Sequence, residues 1–212
     1  MTQKSIQYGT QDITQREIDA VVKVLKSDFL TQGPVLSSFE TKFSEALDVK
    51  FAVAVNSATS ALHAACMALG VGSGDVVWTS PNSFVASANC ALYCGASVDF
   101  VDIDIVTGNM CCLKLEEKLA EADKSNKLPK VLIPVHFSGY PCDMKRISQL
   151  CESYGVKIIE DASHALGAEY GRSGLKVGSC VYSDITVFSF HPVKIITTAE
   201  GGAATTNDSL LN

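Results

Sequence analysis

The feature that most restricts the fold is an alternation of helix-like and strand-like segments along nearly the whole chain. Amphipathic patterns with a period near 3.6 residues predict helices at 14–26, 34–47, 58–69, 83–93, 114–122 and 143–154. Short apolar runs predict strands at 51–55, 76–80, 97–104, 130–137, 157–161, 184–190 and 201–207. This rhythm, with continuously apolar strands, is typical of a parallel sheet buried on both faces. The sequence therefore predicts an α/β fold with three α/β/α layers and a mostly parallel central sheet.

Composition and charge exclude several function classes. The 212 residues are 47% hydrophobic with a formal net charge of −6, which argues against a disordered chain and against a binder of nucleic-acid phosphates. Every apolar run is much shorter than the length of about 20 residues that a membrane-spanning helix needs. The first residues of the chain lack the apolar core of a secretory signal. The eight cysteines include no C-x-x-C pair, so we expect free thiols in a reducing compartment. We therefore expect a soluble cytoplasmic protein that binds neither nucleic acid nor membrane.

The residues that follow each strand are the candidate site, because ligands of open parallel sheets bind beyond the carboxyl ends of the strands. After the first predicted strand, a turn of small residues leads through Ala58 and Thr59 into a helix, whose N-terminus favours an anion. Phe84 follows the second strand and can stack on a planar ring. Each feature alone has a structural alternative, namely a hydroxyl that only caps the helix and an ordinary core phenylalanine.

Two later strand ends carry charged groups. Asp161 ends the strand 157–161, where a carboxylate needs a cation or hydrogen-bond donors, and a protonated heterocyclic nitrogen is a suitable partner. Lys194 follows the strand 184–190 in apolar surroundings, which lower the pKa of an amine and allow it to form a Schiff base. The alternatives are a helix-capping Asp161, a structural His164 and a surface lysine. Together, the anion site, ring platform, carboxylate and lysine match what pyridoxal phosphate requires.

The chain resembles the DegT/DnrJ-type sugar aminotransferases, which are fold-type-I pyridoxal-phosphate enzymes that act on nucleotide-linked keto sugars. Within that family it is most similar to the aminotransferases of pseudaminic-acid biosynthesis, although many family members have glycine at the position of Ala199. The resemblance covers essentially the whole chain. It rests on FLTQGP (29–34), NSATSALHAA (56–65), SPNSFVASAN (80–89), PVHFSGYPCDM (134–144), EDASHALGAEY (160–170) and SFHPVKIITTAEGGA (189–203), in the family's order and spacing.

The resemblance implies a role for each matching residue. It implies that Lys194 forms the Schiff base with pyridoxal 5'-phosphate and shuttles a proton, and that Asp161 binds the protonated ring nitrogen. Phe84 is expected to stack on the ring, with His164 near the ring's 3-hydroxyl. A lysine at position 194, where the family's dehydratases have histidine, favours transamination. The remaining implied contacts are to phosphate, through Ala58, Thr59 and Ser189, and to substrate, through Thr31, Gln32 and His136.

The implied reaction transfers an amino group, with glutamate as donor, to C4 of a UDP-linked 4-keto-6-deoxy-N-acetylhexosamine in nucleotide-sugar and surface-glycan biosynthesis. Family members work as homodimers. The implied organisation is an N-terminal segment with a helix, 1–33, and a pyridoxal-phosphate-binding large domain, 34–212, whereas family chains continue into a small C-terminal domain.

Three alternatives stay open. The first is a related nucleotide-sugar aminotransferase for another sugar or position, and the second is a truncated, non-catalytic fragment that binds cofactor or a partner. The third is a nicotinamide-dependent oxidoreductase, suggested by GVGSGD at 70–75. That segment follows a predicted helix and precedes a strand, the reverse of the dinucleotide-binding order, so it favours a simple turn.

Overall fold

The computed structural model describes residues 9–212, so residues 1–8 of the expected N-terminal segment lie outside the described part. The described helices are α1 (Gln15–Leu25), α2 (Pro34–Leu47), α3 (Ala58–Ala68), α4 (Ala86–Tyr93), α5 (Cys112–Lys124) and α6 (Met144–Tyr154). The described strands are β1 (Phe51–Val55), β2 (Val76–Thr79), β3 (Ser97–Phe100), β4 (Val131–Ile133), β5 (Lys157–Asp161), β6 (Ile185–Ser189) and β7 (Gly202–Thr206). The predicted alternation of helices and strands is therefore confirmed.

The strands form one sheet in the order β1-β7-β6-β5-β4-β2-β3. From β6 to β3 every neighbouring pair is parallel, whereas β7 runs antiparallel to both β6 and β1. The sheet is thus mostly parallel, as predicted. Because β7 is reversed, its first residues lie at the sheet edge where the other strands have their carboxyl ends.

Successive residues of the central strands face opposite helical layers, since side chains alternate along a strand. One layer contains α3 and α4, which pack on Val77, Ile159 and Val187. The other layer contains α2, α5 and α6, which pack on the neighbouring residues Trp78, Ile158 and Phe188. Both faces of the sheet are therefore buried, which confirms the three-layer α/β/α architecture.

Local sequence signals set several boundaries as predicted. Thr14 and Glu17 form the capping box that begins α1, and Pro34 occupies the first turn of α2. The strand predicted at 130–137 is shorter, because Pro134 lacks the N–H that would continue the ladder. A single 3-10 turn, Phe137–Gly139, follows it.

The segment 70–75 connects α3 to β2 as a turn, which agrees with the prediction against a dinucleotide-binding loop. Asp75 closes this turn because its Oδ2 accepts the N–H of Gly72 at 2.8 Å and lies 2.9 Å from Lys130 Nζ. The Asp75 carboxylate thus faces the connection itself, and the segment lies away from the cavity described below.

The apolar face predicted for α1 is present but is not covered by the rest of the described chain. None of its residues is buried, and Ile18, Val21, Val22 and Leu25 are all exposed. The eight cysteines have free thiols. Within residues 9–212, no helix combines the length and apolarity that crossing a bilayer requires.

Candidate active site

A cavity of about 690 Å³ opens at the sheet edge where the carboxyl ends of the parallel strands meet the start of β7. Thr31 and Gln32 do not line it and lie instead in the exposed segment between α1 and α2. The cavity brings together all seven residues that the sequence assigned to the cofactor, Ala58, Thr59, Phe84, Asp161, His164, Ser189 and Lys194, and it is also lined by His136.

The N-terminus of α3 forms one wall of the cavity. Ser57 caps this helix, because its Oγ accepts the N–H of Ser60 at 3.2 Å. The first N–H groups of a helix have no partner within the helix, so those of Ala58 and Thr59 can bind an anion. Ser57 is therefore a helix cap, as the alternative interpretation of these hydroxyls suggested. This capping role leaves the N–H groups of Ala58 and Thr59 available to an anion.

Gly202 allows β7 to pass close to this wall. A Cβ at this position would lie 2.6 Å from the nitrogen of Ala58 and 2.9 Å from the carbonyl oxygen of Phe188. Such contacts are too short for any side chain, so only glycine permits the first turn of α3 to approach the sheet here. Gly202 pairs with Ser189 of β6, which brings the Ser189 hydroxyl close to the same helix end.

The sequence left open whether Phe84 is a ring platform or an ordinary core residue, and the structure decides against the core. Its side chain is 72% exposed and lines the cavity, so it is not a core phenylalanine. The loop that carries it is anchored by Asn82, whose Nδ2 donates to the carbonyl oxygen of Gly108 at 3.2 Å. The exposed ring offers a flat face to a planar ligand.

Asp161 ends β5 and is 5% exposed, yet it lines the cavity. Its Oδ1 accepts both the N–H of Ser163 at 3.1 Å and the Ser163 hydroxyl at 2.6 Å. Its Oδ2 accepts the hydroxyl of Ser87, on α4, at 2.6 Å. No helix follows β5 directly, so Asp161 stabilises a turn rather than capping a helix as the alternative proposed.

Sequence reasoning missed both serines that bind Asp161. Ser163 had a local signal, because an acidic residue two positions before a serine is typical of a turn closed by side chains. Ser87 had none, since it lies 74 positions away on a helix that otherwise carries small and apolar residues toward the sheet. Only the packing of α4 against the sheet brings it to Asp161.

Glu160, next to Asp161, points into the other layer and is fully buried. Its carboxylate accepts the Tyr170 hydroxyl at 2.7 Å and the Thr186 hydroxyl at 3.1 Å, as well as the hydroxyl of Ser183. Burial alone would raise the pKa of Glu160, but His136, Ser183 and Tyr170 together lower it. Glu160 is therefore an ionised structural carboxylate rather than a group facing the cavity.

His136, which the sequence placed near the substrate, has its imidazole in the interior, with 1% of the residue exposed. Its Nε2 lies 3.0 Å from Glu160 Oε2, and its Nδ1 accepts the N–H of Cys142 at 3.2 Å. Both ring nitrogens are therefore engaged within the protein. His136 therefore contributes to the wall of the cavity, but it has no ring nitrogen left for a ligand.

Lys194 and His164 are in direct contact, with Lys194 Nζ 2.6 Å from His164 Nε2. Burial lowers the pKa of Lys194, and the negative charge of Asp161 opposes that shift only in part. Burial and the charge of Lys194 likewise lower the pKa of His164, although the negative charge of Asp161 acts in the opposite direction. The lowered pKa favours the uncharged imidazole, which is hydrogen-bonded to the amine in the cavity that Asp161 also lines.

The surroundings of Lys194 differ from the prediction. The sequence suggested that its apolar neighbours bury the amine, but Val193, Ile195 and Ile196 are 45%, 64% and 45% exposed. The loop therefore lies at the surface. The amine itself is nevertheless partly buried, and Lys194 lines the cavity together with Asp161 and His164.

The donor set fits pyridoxal phosphate. The α3 N-terminus and Ser189 offer donors to a phosphate, and Phe84 offers an exposed ring face. Asp161 offers a carboxylate to a protonated ring nitrogen, and Lys194 offers an amine with a lowered pKa. Each chemical part of that cofactor therefore has a matching group in one cavity.

Comparison with known proteins agrees with this chemistry. The family model described as "DegT/DnrJ/EryC1/StrS aminotransferase family" matches residues 11–212. The UDP-4-amino-4,6-dideoxy-N-acetyl-beta-L-altrosamine transaminase of Campylobacter jejuni is 46% identical over 206 residues, which are 97% of this chain and 52% of that protein.

Two solved structures have the same fold. PseC of Helicobacter pylori, an aminotransferase involved in the biosynthesis of pseudoaminic acid, superposes with a TM-score of 0.89 at 38% identity, covering 98% of this chain and 54% of PseC. The PLP form of the protein Spr1654 from Streptococcus pneumoniae superposes with a TM-score of 0.87 at 34% identity, covering 98% of this chain and 54% of Spr1654. The chain thus spans about half the length of these relatives.

Replacing the carboxylate of Asp161 should lower the pKa of Lys194 further. In the cofactor-free protein, Asp161→Asn removes the negative charge that raises this pKa, while the burial that lowers it remains. The pH at which Lys194 becomes half-reactive toward an amine-specific reagent, followed by peptide mass spectrometry, should therefore decrease. Glu200→Gln is a matched control, because Glu200 lines the same cavity. Equal midpoints for Asp161→Asn and the unaltered protein would contradict the electrostatic assignment.

Proposed function

Since the chain belongs to the DegT/DnrJ/EryC1/StrS aminotransferase family, we propose that it is the pyridoxal-phosphate-binding part of a sugar-nucleotide aminotransferase. We further propose the substrate and the donor: C4 of a UDP-linked 4-keto-6-deoxy-N-acetylhexosamine receives the amino group, and glutamate provides it. The observation that carries the proposal is the position of Lys194, whose amine lies in one cavity with Asp161, Phe84 and the N-terminus of α3.

Each of the cavity residues named above has a distinct role in this proposal. The N–H groups of Ala58 and Thr59, with Ser189, bind the phosphate, and Phe84 packs on one face of the ring. Asp161 places its negative charge opposite the ring nitrogen. When bound, pyridoxal phosphate supplies an electron sink for the carbon that exchanges the amino group.

Lys194 is the group that forms the covalent link and moves a proton at Nζ. An amine attacks a carbonyl only in its uncharged form, and the lowered pKa of Lys194 increases the uncharged fraction near neutral pH. His164 is hydrogen-bonded to Nζ and so fixes its position in the cavity. We propose that His164 also lies close to the 3-hydroxyl of the bound ring.

The choice of sugar is supported by the name of the Campylobacter relative. That name describes a UDP-linked, 6-deoxy, N-acetylated sugar with its amino group on carbon 4. The glutamate donor and a role for Thr31 and Gln32 beside the sugar stay predictions from the family resemblance. A related enzyme for another sugar or position is the alternative within the same family, and binding of cofactor without turnover is the alternative outside it.

A homodimer is part of the proposal. Apolar side chains are exposed at the cavity, which Phe84 and Val193 line, and next to Lys194 in the sequence, at Ile195 and Ile196. Exposed apolar surface of this kind is characteristic of a protein interface.

Sedimentation equilibrium of the purified protein should give twice the mass of one chain, and a monomer at micromolar concentration would contradict the dimer.

Replacing Lys194 should abolish the covalent link to the cofactor. After incubation with pyridoxal phosphate and reduction with borohydride, peptide mapping should find the adduct on Lys194, and Lys194→Ala should give none because the amine is gone. Lys127→Ala, at an exposed lysine outside the cavity, should keep the adduct. Full adduct formation by Lys194→Ala would refute the assignment.

The proposed reaction can be followed by the transfer of a labelled amino group. With [15N]glutamate and the UDP-linked 4-keto sugar, nitrogen-15 should appear on C4 of the sugar, detected by NMR of the product. A 3-keto sugar with the same nucleotide is the matched comparison. Labelling of the 3-keto sugar alone would show that the enzyme aminates C3 rather than the proposed C4. An adduct on Lys194 without transfer to either sugar would favour cofactor binding without turnover.

A further inference from the structure

Ser87 is a fully buried hydroxyl one step behind the proposed cofactor site. It lies on α4 with 0% of the residue exposed, and its Oγ is 2.6 Å from Asp161 Oδ2. An ionised carboxylate can only accept hydrogen bonds, so Ser87 must be the donor. Its only proton is therefore used on Asp161.

The two oxygens of Asp161 are not equivalent. A carboxylate oxygen can accept two hydrogen bonds, and Oδ1 already accepts two, from the N–H and the hydroxyl of Ser163. Oδ2 accepts one described bond, from Ser87. One acceptor position on Oδ2 is therefore available to a donor in the cavity that Asp161 lines.

Ser83 connects this contact to the cavity. Its Oγ lies 2.7 Å from Ser87 Oγ and 3.0 Å from the carbonyl oxygen of Phe84, and Ser83 lines the cavity. Because the Ser87 proton is used on Asp161, Ser83 must donate in a bond between the two hydroxyls, and its single proton is then shared between Ser87 and the carbonyl oxygen of Phe84 as alternative acceptors. A short chain of hydroxyls thus runs from the loop of Phe84 to the carboxylate.

We propose that Ser87 is a positioning residue for the cofactor: it fixes the Asp161 carboxylate so that Oδ2 receives the ring nitrogen, and it stabilises the negative charge that keeps that nitrogen protonated. This inference rests on the proposed function. Hydrogen bonds to a charged group are stronger than those between neutral groups, so loss of this single donor has a measurable effect. Ser163 holds the other oxygen and cannot replace Ser87 at Oδ2.

The test is the state of the ring nitrogen in protein loaded with pyridoxal phosphate labelled with nitrogen-15 at that atom. In the unaltered protein, the 15N chemical shift should be that of a protonated ring. In Ser87→Ala the shift should move toward the unprotonated value, and the dissociation constant of the cofactor should rise about tenfold, the scale of one lost hydrogen bond to a charged group. Ser87→Thr, which keeps the hydroxyl, should restore both.

Ser179→Ala is the matched control for removal of a buried serine. Ser179 is 4% exposed and donates to the carbonyl oxygen of Lys176 at 2.7 Å, outside the cavity. It should leave the 15N shift unchanged. If Ser87→Ala does not fold, Ser87→Cys gives the same comparison, because a thiol has similar size and donates only weakly.

The outcomes separate the two proposals. A protonated ring nitrogen in the unaltered protein, with the same shift and affinity in Ser87→Ala or Ser87→Cys, would overturn the role of Ser87 and leave the proposed function intact. An equal change in Ser179→Ala would also overturn it. Failure of the unaltered protein to bind pyridoxal phosphate would overturn the proposed function, and this inference with it.

Discussion

Two adjacent carboxylates at the end of β5 determine how the rest of the site is built. Because side chains alternate along a strand, Glu160 and Asp161 point into opposite layers of the protein, and both are buried. A buried carboxylate is unfavourable unless donors surround it. The donors come from several parts of the chain, some local and some distant: Tyr170, Ser183, Thr186 and His136 for Glu160, and Ser87 and Ser163 for Asp161. The two carboxylates thereby connect α4 and the segments that follow β4 and β5 to the centre of the sheet.

The sequence was sufficient for the architecture because the physical signal was local. Alternating helical and apolar segments predicted the layers, and the rule that ligands bind at the carboxyl ends of parallel strands predicted which residues would meet. Lys194 and Ala58 are 136 positions apart, yet both line one cavity because their strands end at the same sheet edge. Reversal of β7, which brings Gly202 beside the first turn of α3, had no comparable signal.

The parts that sequence reasoning missed depend on packing between elements. Ser87 reaches Asp161 only because α4 lies against the sheet, and nothing in its neighbours distinguishes it from a serine on an apolar helix face. His136 was expected near the substrate, but its contacts with Glu160 and Cys142 became visible only when β4, β5 and the following turn were assembled. The apolar residues beside Lys194 predicted burial, although they lie on the exposed side of its loop.

The partner of Lys194 explains how the amine can be both held and available for reaction. A carboxylate in direct contact would hold the lysine as a strong ion pair and raise its pKa, as Asp184 does for Lys157 at the surface. In the cavity the direct contact is the imidazole of His164, whose own pKa is lowered, so it orients Nζ without contributing a negative charge. Asp161 raises the pKa of the amine through its negative charge, but this effect is smaller than the lowering caused by burial. Contact with an imidazole rather than a carboxylate therefore holds the amine in place without the ion pair that would raise its pKa.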